Sequence, residues 1–134
     1  MRFLHDRRFG STIGLTFAIA LAAAFFAAGA HAQAVRTLVQ SSRLAGFVHD
    51  EAAAAFPELR VGDGLQLARE RDNPYDANAV RVEWRGRKLG YVPRAQNAAL
   101  AWAMDRGDTL SARITRLRPH PNPRLRIEFD VYIE

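Results

Sequence analysis

The C-terminal end of the chain sets the fold class. Leu125, Ile127, Phe129, Val131 and Ile133 alternate there with Arg124, Arg126, Glu128, Asp130 and Tyr132. A period of two marks a strand with one face buried and the other wet, because a helix would scatter that apolar set around its axis. Val80, Val82 and Trp84 repeat the pattern against Arg81 and Glu83, and Leu110, Ala112 and Ile114 repeat it against Ser111, Arg113 and Thr115. Three half-buried strands already require a sheet with one covered face.

Turn signals divide the remainder. Residues 37–48 are rich enough in Leu, Val and Phe for a strand broken at Gly46, where a bulge is expected. Residues 50–56 are Ala-rich, enough for one or two helical turns stopped by Pro57, and Gly62-Asp63-Gly64 is a tight turn. A strand follows over residues 65–69. Arg85-Gly86-Arg87 turns the strand 80–84 into a return strand 88–92, with Leu89 and Tyr91 on one face. Pro93 suits the first helical turn, so the Ala/Leu/Met-rich residues 95–105 form a helix ending at Gly107. Trp102 is expected to pack that helix onto the sheet, and Trp84 and Tyr91 to fill the interior. Pro119-His120-Pro121-Asn122-Pro123 cannot enter a ladder and is a stiff loop. Five or six short strands, one or two helices and no βαβ repetition predict a mainly β fold, a small barrel.

The N-terminus reads as a secretory signal peptide over residues 1–32. Arg2, Arg7 and Arg8 form its basic region, residues 13–28 its uncharged apolar run, and Ala30-His31-Ala32 the cleavage site, with cleavage after Ala32. The apolar run is short of the ~20 residues that span a bilayer comfortably. The expectation is therefore an exported domain, residues 33–134, periplasmic or secreted and without stable membrane insertion once the signal is removed. The absence of cysteine excludes a lipid-anchoring Cys, disulfides, thiol chemistry and the usual structural zinc sites. The four His show no ligand spacing, and neither metal nor cofactor is expected.

Between the strands 65–69 and 80–84 lies Arg69-Glu70-Arg71-Asp72-Asn73-Pro74-Tyr75-Asp76-Ala77-Asn78. Asn and Asp bond back to their own backbone, and Pro fixes its own φ and holds Asn73 extended, so Tyr75 and Asp76 are aimed in one direction. A loop so specified usually binds something. A structural reading stands beside that one, in which Asp76 staples its own loop. Charge is arranged unevenly: residues 109–127 carry Arg113, Arg116, Arg118, Arg124 and Arg126 and no acid, which suits an anionic partner.

These residues resemble a HIRAN domain. The likeness runs from Leu44-Ala45-Gly46-Phe47 through Gly62-Asp63-Gly64-Leu65 and Asn73-Pro74-Tyr75-Asp76-Ala77-Asn78 to Lys88-Leu89-Gly90-Tyr91-Val92-Pro93-Arg94, Asn97 and Asp105-Arg106-Gly107. The resemblance implies an OB-like or SH3-like barrel that, in helicase members of the family, binds the 3′ end of single-stranded DNA. Carried over by position, Tyr75 would stack on the terminal base and Asp76 would accept from a free 3′ hydroxyl. Asn73 would bond base or sugar edges, and Arg94 would take a backbone phosphate. Where DNA-binding members place a basic residue and a second aromatic, this chain has Val48 and His49, so His49 is the substitute platform. Strand parity puts Phe129 in the core with Ile127 and Val131.

The expected function is a non-catalytic nucleic-acid-binding module whose partner is the 3′ end of a single strand or another anionic ligand. An exported β-barrel module for a non-nucleic-acid ligand or a protein partner is the alternative, favoured by the Val48-His49 departure. Hydrolysis finds no support: the chain has no phosphate-binding Gly-Lys-Ser/Thr loop and no catalytic Ser/His/Asp context.

Overall fold

The computed structural model describes residues 35–134. The signal-peptide reading therefore lies outside the described residues. Six strands form one antiparallel sheet: β1 Thr37–Arg43, β2 Gly64–Glu70, β3 Ala79–Trp84, β4 Arg87–Tyr91, β5 Leu110–Leu117 and β6 Ile127–Ile133, in the spatial order β1-β6-β5-β2-β3-β4. The C-terminal alternation is realised in β6, where Ile127, Phe129 and Val131 are buried between the ladders to β1 and β5. Val80, Val82 and Trp84 of β3 and Ala112 and Ile114 of β5 join them in one core. No helix among the described residues is long and apolar enough to cross a membrane.

The sheet is mainly β as expected, but it is not a closed barrel. β1 and β4 are its two edges, and they meet only past the end of β1, where Ala45 and Tyr91 exchange a pair of N–H···O bonds of 2.9 Å. That crossing requires a glycine: a Cβ on Gly90 would sit 2.1 Å from the Ala45 carbonyl oxygen. Above this single bridge the edges part.

Several local expectations are corrected. Gly46 (φ +80°) is no bulge. It opens the tight turn of residues 47–49, while the bulge of β1 falls between Leu38 and Gln40. Pro57 does not stop the first helix: α1 Ala52–Ala55 tightens into a 3₁₀ turn, Phe56–Glu58, which accepts proline near its start. The β3–β4 hairpin turns through Arg85 (φ 48°) and Gly86 (φ 77°), both left-handed as a two-residue hairpin requires. A bulge between Val82 and Glu83 then shifts the parity of β4. Leu89 stays in the core while Tyr91 pairs with Arg81 on the outer face, half-buried, so Tyr91 does not fill the interior.

The helix expected over residues 95–105 is two pieces, a 3₁₀ turn Arg94–Gln96 and α2 Ala98–Asp105. Its inward stripe is Asn97, Leu100, Ala101 and partly buried Met104; Trp102 faces outward and is 64% exposed. Alanine on every side left the sequence without a polar stripe to mark the wet face. Leu125, assigned to the last strand, ends a 3₁₀ turn, Pro123–Leu125.

Candidate functional site

The loop of residues 71–78 joins β2 to β3, and its shape begins with Asn73. The Oδ1 of Asn73 accepts from the backbone N–H of Tyr75 (2.9 Å) and of Asp76 (3.2 Å), the side-chain-closed turn that Asn before Pro favours. Its Nδ2 donates to Glu70 Oε1 at 3.1 Å, fastening the turn to the end of β2. With the backbone so fixed, the Tyr75 ring stands outward, 85% exposed.

Asp76 points the other way, so the two side chains are not aimed in one direction as expected: the turn fixes the backbone, but the Asp76 carboxylate is drawn inward by a buried partner outside the loop. Its Oδ1 accepts from the Asn78 N–H (2.9 Å), and its Oδ2 accepts from Nδ2 of Asn97 at 2.7 Å. Asn97 is only 2% exposed and precedes α2, so a buried amide anchors the loop to the helix. Two bonds leave a carboxylate with acceptor capacity to spare. Arg94 completes the cluster: its guanidinium donates to the Tyr75 carbonyl oxygen and its Nε lies 3.7 Å from Asp76 Oδ2.

A second set of bonds stiffens the strand under the loop. Glu70 accepts from Arg81 Nη1 (2.8 Å) and the Tyr91 hydroxyl (2.8 Å) as well as from Asn73. Burial opposes its ionisation, but the hydrogen bonds from Asn73, Tyr91 and Arg81 outweigh that and hold the carboxyl below the ordinary glutamate range. On the helix side Asp105 accepts from Nε of both Arg69 (3.0 Å) and Arg71 (2.9 Å), and hydrogen bonds from Arg69 first and then Arg71 lower its pKa. The loop is thus tied at both flanks.

Beside it runs a groove of about 950 Å³, lined by residues of β1, β5 and β6 and by the segments that follow β1 and β4. One wall is residues 41–46, at the end of β1 and just beyond. The other is residues 93–96, and Asn122, Arg124 and Leu125 close one end. Arg43, Arg94 and Arg124 line it, with Glu128 and Asp130 on its floor side. Glu128 Oε1 takes Arg43 at 3.4 Å and Asp130 Oδ1 takes the Ser41 hydroxyl at 2.6 Å, so both carboxylates are engaged by the protein's own groups. Arg94 both lines this groove and bonds the Tyr75 carbonyl, so it links the groove to the loop that carries the exposed ring; Tyr75 itself does not line the groove.

Asn73, Tyr75, Asp76 and Arg94 are therefore one cluster. His49 is exposed in the turn after Gly46 and does not line the groove, although Gly46 does. Sequence reasoning gave no role to Arg43, named Arg124 only as one of a basic stretch, and gave Asn97 no role as an anchor. The available signal for Asn97 was its place among the HIRAN-like positions. Among the described residues no group of three or more His, Cys, Asp or Glu is placed to hold a metal.

This architecture has relatives. A crystal structure of a protein from Lactobacillus plantarum aligns with a TM-score of 0.65 at 30% identity, covering 74% of this chain and 95% of that one. The crystal structure of the HIRAN domain of human HLTF aligns with a TM-score of 0.57 at 20% identity, covering 75% and 80% respectively. No curated protein matches the chain. The HIRAN domain family model matches residues 39–134, which takes in every strand from the middle of β1 onward, the Tyr75 loop and both walls of the groove. By that match, the chain belongs to the HIRAN domain family.

Proposed function

We propose that this domain is a nucleic-acid-binding module that captures the 3′ end of a single strand in the groove beside Tyr75. Membership in the HIRAN family, a class of nucleic-acid-binding modules, supports the general role. One observation carries the finer reading: a tyrosine ring 85% exposed, on a backbone locked by Asn73 and by Arg94, the same Arg94 that with Arg43 and Arg124 lines the neighbouring groove. A fixed aromatic face stacks on any base, and guanidinium groups along one track meet the phosphates. Asp76 repels phosphate yet can still accept a hydrogen bond, so at this position a terminal hydroxyl is preferred over a continuing chain. Stacking and phosphate contact involve no bond making, and the module works as a non-catalytic receptor.

Fluorescence anisotropy with short single-stranded DNA tests this. A free 3′ hydroxyl should bind more tightly than the same oligonucleotide with a 3′ phosphate. Equal affinity with a steep salt dependence reduces the interaction to generic attraction for phosphate. No binding at low salt favours the second reading, an exported module for another ligand. That reading draws on Val48-His49, where a 63% exposed Val stands in place of the basic residue of DNA-binding members. Cell fractionation and N-terminal sequencing test export; a mature chain beginning at Gln33 is the expected result.

A further inference from the structure

A second concavity, of about 500 Å³, lies on the far side of the 44–49 segment, walled by Phe47, Phe56, Pro57, Pro119, Pro121 and Arg126. Gly46 and Arg124 line the long groove while Phe47 and Arg126 line this pocket, so the two share walls but no lining residue. Phe47 and Phe56 meet edge to face at 5.9 Å, and the Arg126 guanidinium lies 4.8 Å over the Phe47 ring. Arg126 Nε donates to the His120 carbonyl oxygen at 2.7 Å, which fixes the guanidinium at the pocket wall. No carboxylate pairs with Arg126 among the described residues, in an arm, residues 109–127, that contains five Arg and no acid.

We propose that this pocket docks a peptide segment of a partner protein that presents an apolar side chain next to an acidic one. The walls of ring edges and prolines fit a branched aliphatic or aromatic side chain, and the fixed, unpaired cation at the wall fits the neighbouring carboxylate. A nucleobase fits less well. The Phe47 ring is buried, with Arg126 over one face, so it offers no open platform for stacking.

The test is a two-dimensional amide NMR titration of the protein with N-acetyl-Leu-Glu amide and with N-acetyl-Leu-Gln amide. The acidic peptide should shift the amides of Phe47, Phe56, His120 and Arg126 and bind about five-fold more tightly than the neutral one. Arg126→Gln should erase that difference, and Arg126→Lys should restore part of it. Since Arg126 also braces the loop, Ala53→Glu supplies an independent variant: Ala53 is an exposed position at the rim, and a carboxylate there should weaken the acidic peptide about five-fold while Ala53→Gln does not. Equal binding of the two peptides, or shifts confined to the groove, would overturn the proposal. So would displacement of the peptide from these four amides by a single-stranded oligonucleotide. Binding of that oligonucleotide at Arg43 and Arg94 is read separately in the same spectra, so failure of the docking site and failure of the nucleic-acid reading are distinct results.

Discussion

Asn73-Pro74 and Asn122-Pro123 begin two loops with the same local chemistry. Each Asn accepts from the backbone N–H two residues on, Tyr75 at 2.9 Å and Arg124 at 3.1 Å, and each places an exposed side chain just past the proline. What holds them differs. The first loop is bonded to distant parts of the chain, through Asp76 to Asn97 and through its Tyr75 carbonyl to Arg94. The side-chain hydrogen bonds of the second close within it: His120 Nδ1 accepts from the Asn122 N–H, Arg118 donates to the Leu125 carbonyl and Arg126 to that of His120, while its contact beyond the loop is the Arg126 guanidinium over Phe47. Related turns thus become a platform hydrogen-bonded across the fold in one case and a locally hydrogen-bonded arm in the other.

The largest effect should come from cutting the long-range anchor. Asp76→Ala removes the acceptor for a buried amide and for one backbone N–H, so it should cost about 2–3 kcal/mol and lower Tm by on the order of 10 °C. Asn97→Ala should fall by a similar amount, and the double variant by much less than the sum of the two. Thermal melts that add independently would show that the first loop is as self-contained as the second.

Next comes Tyr75→Ala, which separates platform from anchor. A ring 85% exposed contributes little to folding, so Tm should move by no more than about 2 °C. Affinity for a single-stranded oligonucleotide should fall roughly 5- to 150-fold, the loss of one stacked base. Arg124→Ala on the opposite arm should weaken binding less and reduce the salt slope by about one phosphate contact. If Arg124→Ala has the larger effect, the groove and not the ring dominates recognition.

The two loops also mark how far the sequence could be read. Each Asx turn is a matter of three adjacent residues, and alternation in β3, β5 and β6 directly encodes which side chains are buried; both were legible. Tyr91 was not, because its face depends on a bulge whose position is set by pairing across the hairpin. Trp102 was misplaced because an apolar helix carries no mark of its outer side. The groove was invisible for a topological reason: it is assembled from β1, β5, β6 and the segments after β1 and β4, and its arginines come from three separate segments. Asp76 had two readings from sequence, free acceptor or staple. Its staple lies partly on Asn97, 21 residues away, which no local pattern could supply.

The strand beneath the first loop also gives a pH test. Glu70 has a folded pKa below its ordinary value of 4.5, so its stabilising contribution is complete above that pH and is lost as pH falls through the folded value. Glu70→Gln should therefore be less stable than the parent near neutral pH, and the two should converge as pH falls below 4.5 and through the folded value. Parallel acid-denaturation curves would mean that the bonds from Asn73, Tyr91 and Arg81 contribute nothing charge-dependent.

Asn122→Ala should produce the smallest change. Its single side-chain bond is solvent-exposed, and an exposed hydrogen bond exchanged for water is worth about 0.5 kcal/mol, a few degrees of Tm at most. The physical contrast with Asp76→Ala lies in the groups left behind: water can reach the Arg124 N–H, whereas the Asn97 amide is buried. Hydrogen exchange sharpens the point. Exchange in the variant should rise only at residues 122–126, because the side-chain hydrogen bonds of that arm close within it, while Asp76→Ala should also raise exchange in the first turn of α2. Enhanced exchange reaching β5 and β6 in Asn122→Ala would reveal a coupling between arm and sheet that the bonding pattern does not contain.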